Sequence, residues 1–307
     1  MCIKSVKDRS VYVLLKIAVN CLDNKQMLIN FYTCQSVLTW RICYYVTDLS
    51  AAKLKRQPNI SLNKQIVKDM VLVSANKMLI ALYEQRKVIL VNIASGQVLS
   101  EIALKIKPRY ICMTSVHLGA TTLEGTIMFI QVKDNIIKAD TTLNLDVDVM
   151  GIAAYKSNLV VTYDHPGVKI ISKDGTEVHK LDNSIAGRQV FKNPRRIATT
   201  SDDSIYIADW GTHEITRLDS CLTILQKFSG PLLNYPLGIL SINRDQLLVC
   251  SKRNDSIVMI QPITNTMAVL LEKKHGIESP VALCFCGVQK NLYVAPDSGN
   301  VLVYQLS

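Results

Sequence analysis

No stretch of this chain spaces its apolar residues at helical intervals, and none is apolar for the ~20 residues that a membrane-spanning helix needs. The nearest approach, Val11 to Val19, contains Lys16 and is closed by Asp23-Asn24-Lys25. Helical bundles and helical membrane spans are therefore excluded, and no secretory leader is read from the first residues. A disulfide framework is missing as well. The nine cysteines are odd in number and scattered without regular spacing, which points to reduced thiols in a cytosolic or nuclear protein, the cytoplasm being the expected location.

The chemistry-bearing motifs are equally scarce. Cys284 and Cys286 share a face of an alternating segment, but no second pair lies at zinc-ligand spacing, so they read as buried core thiols. Without such pairs there is no RING or B-box. The five histidines, His117, His165, His179, His213 and His275, fall in different segments and form no His-Glu-x-x-His arrangement. Asn144, Asp146 and Asp148 resemble the start of a calcium loop, but Val149 stands where glycine is needed and Tyr155 where the closing carboxylate belongs. Glycine-rich phosphate loops and a serine nucleophile elbow are absent. The expectation is a non-catalytic protein with no metal, no cofactor and no nucleotide. The remaining catalytic alternative is calcium-dependent lactonase or lyase chemistry, which would need acidic and amide ligands to converge on one point from distant parts of the chain.

What is present is a repeat of about 40 residues, a period that signals a repeat architecture. The small residue closing each second apolar run recurs as Ala81, Ala120, Thr162, Ala208, Cys250 and Ala295, at spacings of 39, 42, 46, 42 and 45 residues. An apolar anchor recurs beside it as Leu72, Ile111, Ile152, Ile197, Ile239 and Leu283. Two columns agree on six units. In the fourth unit four short runs are divided by Ser201-Asp202-Asp203, by Trp210-Gly211-Thr212-His213 and by Asp219-Ser220. Short Ile/Val/Tyr/Leu runs between Asp, Asn, Ser and Gly turns make a four-stranded antiparallel meander. One such sheet cannot bury both faces, so units stack radially.

The fold class is accordingly all-β, a six-bladed β-propeller of four-stranded blades closed by pairing of N- and C-terminal strands. Residues 49–307 form the propeller and residues 1–48 a non-propeller extension. The last unit, Pro280 to Ser307, supplies three strands, and the segment Ile60 to Ile66 is the expected source of the fourth.

The run Tyr206-Ile207-Ala208-Asp209 followed by Thr212-His213-Glu214-Ile215 resembles the NHL repeat, with Thr212 where the repeat usually has Asn. The resemblance is strong over 194–219 and holds by period alone over about 50–307. It implies a propeller like the C-terminal domain of tripartite-motif proteins, which recognises protein targets or RNA while a separate RING transfers ubiquitin. It also implies that His213 is a structural histidine of the repeat.

The formal net charge is +10. Residues 1–68 hold 11 Lys and Arg against 3 acidic residues, whereas 69–307 hold 24 against 22. Residues 69–307 are nearly neutral, so only a local patch there would attract an anion. Loops on one face gather cations in units four to six: Lys192, Arg195 and Arg196, then Lys252 and Arg253, then Lys273 and Lys274. Phe191, Trp210 and Tyr235 are the stacking candidates, with Trp210 either facing a ligand or packed on the next blade. Asp146, Asp148 and Asp164 occupy the equivalent loops around unit three. The first expectation is a protein partner; single-stranded RNA on the basic patch is the alternative.

Overall fold

The computed structural model describes residue 49 and residues 52–62, 65–182, 184–185, 188–297 and 299–306. The expectation for residues 1–48 lies outside the described residues. Six sheets of four antiparallel strands are present. Blade 1 comprises Val67–Ser74, Lys77–Leu82, Lys87–Asn92 and Val98–Ala103, and blade 2 Ile111–Ser115, Leu118–Leu123, Thr126–Lys133 and Ile136–Asn144. Blade 3 is Val149–Tyr155, Asn158–Tyr163, Gly167–Ile171 and Glu177–Leu181, and blade 4 Pro194–Thr199, Ile205–Asp209, Glu214–Leu218 and Ile224–Phe228. Blade 5 is Pro236–Asn243, Gln246–Ser251, Ser256–Gln261 and Thr266–Leu271. Blade 6 takes Pro280–Cys286, Asn291–Pro296 and Val301–Leu306 from the end of the chain and Leu54–Ile60 from its beginning.

The closing strand is where sequence and structure differ. It pairs Leu54 with Leu306 and Ile60 with Val301, so it ends at the residue where the expected segment begins. Polar Lys55, Arg56 and Gln57 disguise it in the sequence. An outermost strand keeps one face in water, and its exposed positions carry charge in place of the apolar alternation that marks inner strands.

Burial follows position in the blade. The middle strands, sandwiched between neighbouring blades, are near-continuous apolar runs: Met78, Leu79, Ile80, Ala81 and Leu82 are all fully buried, as are Ile205, Tyr206, Ile207 and Ala208. Each such large side chain contributes about 1.5–3 kcal/mol relative to exposure. The fourth strands, such as Glu177–Leu181, are mostly exposed.

The innermost strands pack side by side in blade order and return from blade 6 to blade 1. Blades 1 and 4 therefore face each other across the central channel. Antiparallel meanders place two sets of connections at the same end: those between second and third strands, and those between one blade's fourth strand and the next blade's first. That end is called the upper face below.

Candidate functional site

Most innermost strands begin with a bulge: the register slips at Val67/Asp69, Val149/Gly151, Pro194/Arg196, Pro236/Ile239 and Pro280/Ala282. A bulge adds one unpaired residue and re-aims its side chain. The corresponding residues of the six blades are Lys68, Arg109, Met150, Arg195, Leu237 and Val281, which ring the upper mouth of the channel. One residue deeper, the column reads Asp69, Tyr110, Gly151, Arg196, Gly238 and Ala282. Gly151 is required by packing: a Cβ there would stand 2.2 Å from the carbonyl oxygen of Arg195.

Arg196 spans the deeper layer. Its guanidinium pairs with the Asp69 carboxylate, and its Nη2 donates to the carbonyls of Lys68 at 2.6 Å and Val281 at 3.1 Å. It lies over the Tyr110 ring, 4.4 Å from the centroid. Asp69 in turn accepts the N–H groups of Met70 and Ile111. This residue of blade 4 thus touches blades 1, 2 and 6, and both it and Asp69 are buried. Arg196 is therefore a channel tie, not the surface cation of the expected patch.

Above it the charges are unequal. Arg109 pairs with Asp148 at 2.7 Å, so one acidic residue of the blade 3 loop neutralises a mouth cation. Lys252 pairs with Asp297 at 2.6 Å. Lys68 and Arg195 have no carboxylate within ion-pair distance among the described residues. The Lys68 ammonium sits over the rings of Tyr83 and Tyr110, at 5.3 and 5.9 Å. Arg195 and Arg109 both direct a guanidinium nitrogen at the Met150 sulfur, at 2.7 and 3.2 Å. Burial, then the Arg196 and Arg195 charges, lower the Lys68 pKa to about 8.

The Lys68 shift has a testable sign. Below pH 8 both folded and unfolded chains hold the proton, and the folded state bears the full cost of the confined charge. Between about 8 and 10.5 the folded chain releases it while the unfolded chain keeps it, so this contribution to stability rises with pH. Lys68→Met is expected to stabilise the protein at pH 7 by about 1 kcal/mol, a figure discounted for solvent at the open mouth. Thermal melts should show the advantage shrinking as pH approaches 10.5. An unchanged midpoint at pH 7 would refute it.

Beside Arg195 runs an alternating series of cations and rings. Arg195 lies 5.7 Å from the centre of the Trp210 ring, Trp210 packs on Tyr235 at 4.5 Å with a tilt of 39°, and Arg253 lies 4.9 Å from Tyr235. Trp210 is thus packed on the segment entering blade 5 while remaining partly exposed. Phe191 is fully buried and offers no stacking surface.

The motif residues build the loops that carry this series. The buried Asp209 carboxylate accepts the N–H groups of Lys192, Asn193, Gly211 and Thr212, fastening the inter-blade connection to the loop between the second and third strands. His213, at φ 61°, accepts the Tyr235 N–H on Nδ1 at 2.8 Å. His213 thus has a structural contact here. In the next blade Asp255 has a related role, accepting the Ser279 N–H.

Of the expected patch, Lys192, Arg195, Trp210, Lys252 and Arg253 lie on the loops and strand starts of the upper face at blades 4 and 5. Lys273 and Lys274 do not join them. They form a one-turn 3-10 helix with His275 directly after the outermost strand of blade 5, and Arg56 and Tyr304 of blade 6 donate to the His275 carbonyl. Lys274 also pairs with Glu272. The patch read from sequence leaves out Lys68, Arg109, Tyr83 and Tyr110. Aligning Lys68-Asp69 with Pro108-Arg109-Tyr110 and Pro194-Arg195-Arg196 would have revealed that column of mouth residues.

Elsewhere, burial raises the thiol pKa of Cys112 to about 12 and that of Cys284 well above its ordinary value, so both stay protonated. The five described cysteines are free thiols, and Cys286 is buried beside Cys284 in the same strand, in keeping with a core role. Among the described residues there is no group of three or more His, Cys, Asp or Glu side chains able to hold a metal, and no helix long and apolar enough to cross a membrane.

No family model matches the chain, and no curated protein matches it. Solved structures share its fold. It is similar to virginiamycin B lyase from Staphylococcus aureus, at TM-score 0.59 and 17% identity, covering 83% of this chain and 100% of that one. It is also similar to the β-propeller domain of Cps50 (Swd1) from Myceliophteria thermophila, at 0.58 and 13%, covering 78% and 83%. A protein of unknown function from Bacteroides thetaiotaomicron gives 0.64 and 10%, covering 84% and 74%. At these identities the likeness shows a β-propeller, and the fold alone does not assign an activity.

Proposed function

We propose that this propeller is a non-catalytic recognition platform that binds a protein partner through the upper mouth of its channel, taking an acidic segment of that partner. The observation that carries the reading is the pair of cations without carboxylate partners, Lys68 and Arg195, next to the partly exposed Trp210 and Tyr235. Partly desolvated cations beside rigid aromatic surface are what an interface hot spot uses. In this reading the chain belongs with NHL-like propellers, acts in the cytoplasm, and serves as the substrate-recognition component of a tripartite-motif-type ubiquitin ligase system. Support comes from the Asp209 and His213 contacts at the motif positions and from the free thiols.

Single-stranded RNA is the second reading. The alternation Arg195, Trp210, Tyr235, Arg253 favours it, because bases stack on rings while cations follow the backbone.

The test places a benzophenone-bearing amino acid at Tyr235 in the full chain, and at Val116 on the opposite face as the control, followed by irradiation in extract. Crosslinking to a nuclease-resistant, protease-sensitive partner at position 235 and not at 116 is expected. A nuclease-sensitive product would replace the protein reading with RNA. Crosslinks confined to position 116 would overturn both.

A further inference from the structure

We propose that the channel mouth binds the phosphate of a phosphorylated serine or threonine in a partner protein; this rests on the recognition reading above and specifies its ligand. The mouth ring holds Lys68, Arg109 and Arg195, with Arg196 directly beneath. Asp148 neutralises Arg109, and Asp69 neutralises Arg196. Two positive charges are left over, on Lys68 and Arg195.

These two cations are held close by their neighbours. Arg196 donates to the Lys68 carbonyl and shares the Tyr110 ring with the Lys68 ammonium, while Arg195 is the next residue along the same strand. Arg195 is fixed from its other side by the Met150 sulfur and the Trp210 ring. A single carboxylate would cancel one of the two charges. A phosphate monoester carries about −1.5 to −2 at pH 7 and offers three strong acceptor oxygens, so it matches both. Trp210 and Tyr235 then provide a surface for the residue next to the phosphorylated one, which free phosphate or a lipid headgroup would leave uncovered.

The electrostatics of Lys68 agree with this geometry. It faces Arg195 and Arg196 of blade 4, Lys252 of blade 5, Asp297 of blade 6, and the Tyr83 and Tyr110 rings of blades 1 and 2. Burial and the surrounding cations bring its pKa to about 8. A bound dianion favours the charged ammonium, so above pH 8 binding takes up a proton. Affinity should therefore fall as pH rises through 8, while the phosphate, with its second pKa near 6, stays a dianion throughout.

The experiment uses the full chain and fluorescent peptide libraries of random sequence around a fixed centre: phosphoserine, serine or glutamate. Anisotropy at fixed salt should show the phosphoserine library binding about tenfold tighter than either other library, the scale expected of charge-assisted bonds from two cations. Lys68→Met should abolish that preference and the loss of affinity between pH 7 and pH 9. Arg195→Gln should abolish the preference, and the thermal midpoints of both variants report that the fold is retained. Equal binding of the phosphoserine and glutamate libraries would overturn the phosphate assignment, as would a preference that survives when Lys68→Met and Arg195→Gln are combined. Phosphatase treatment of the extract separates the two levels. A crosslink at position 235 that persists after treatment removes the phosphate and leaves the recognition platform, whereas no crosslink at 235 from untreated extract removes both.

Discussion

Replacing Asp69 by alanine is expected to lower the unfolding free energy by about 3–5 kcal/mol, the cost of leaving a buried charge without its partner. Asp69 and Arg196 are each less than a tenth exposed, at 6% and 8%. The carboxylate also accepts the N–H groups of Met70 and Ile111, so its removal strands two further buried donors. The double change Asp69→Ala with Arg196→Met should recover most of the loss, because no buried charge then remains. Urea unfolding of Asp69→Ala, Arg196→Met and the double variant beside the wild type gives the coupling directly. Costs for the two changes that simply add would show that the tie across the channel carries no cooperative energy.

The second large effect concerns ring closure. A chain beginning at Ser61 is expected to lose cooperative unfolding, while one beginning at Leu49 keeps it. The missing strand covers Val301, Val303 and Tyr304, all buried, and its removal leaves the backbone groups of the new edge unpaired. Arg56 further donates to the Tyr304 hydroxyl at 2.9 Å, which itself donates to the His275 carbonyl at 2.8 Å. The exposed ladder and apolar area together rival the ~5–15 kcal/mol net stability of a typical domain. Adding a synthetic peptide of residues 52–60 should restore a cooperative transition. A chain from Ser61 that melts like the one from Leu49 would show that three strands suffice for blade 6.

The blade frame was legible because it rests on local signals: apolar runs of strand length, turn residues between them and a repeated spacing. All six expected small residues, from Ala81 to Ala295, fall in the second strands of their blades. The mouth was legible only partially. Arg195 and Arg196 are neighbours in the chain, yet the bulge at Pro194/Arg196 leaves one at the mouth and sends the next beneath it. Composition counts cannot register such a half-turn. By charge count Lys68 falls with the basic leading segment, because its role depends on blade 1 meeting blade 4, a contact between residues far apart in sequence. Lys273 and Lys274 occupy the expected connection, but a connection between blades runs from rim to centre, and sequence does not say how far along it a residue sits.

The fastening of the upper loops has a consequence for how such a surface can change. Asp209, Asp255 and Ser251 hold the loops through backbone N–H groups, and His213 does the same with Tyr235. The side chains at 192, 195, 210, 252 and 253 are not used in those bonds, so their identities can be exchanged while the path of the chain is kept. The upper face is in that sense a randomisable array: a selection library confined to these five positions would sample new specificities on an unaltered frame.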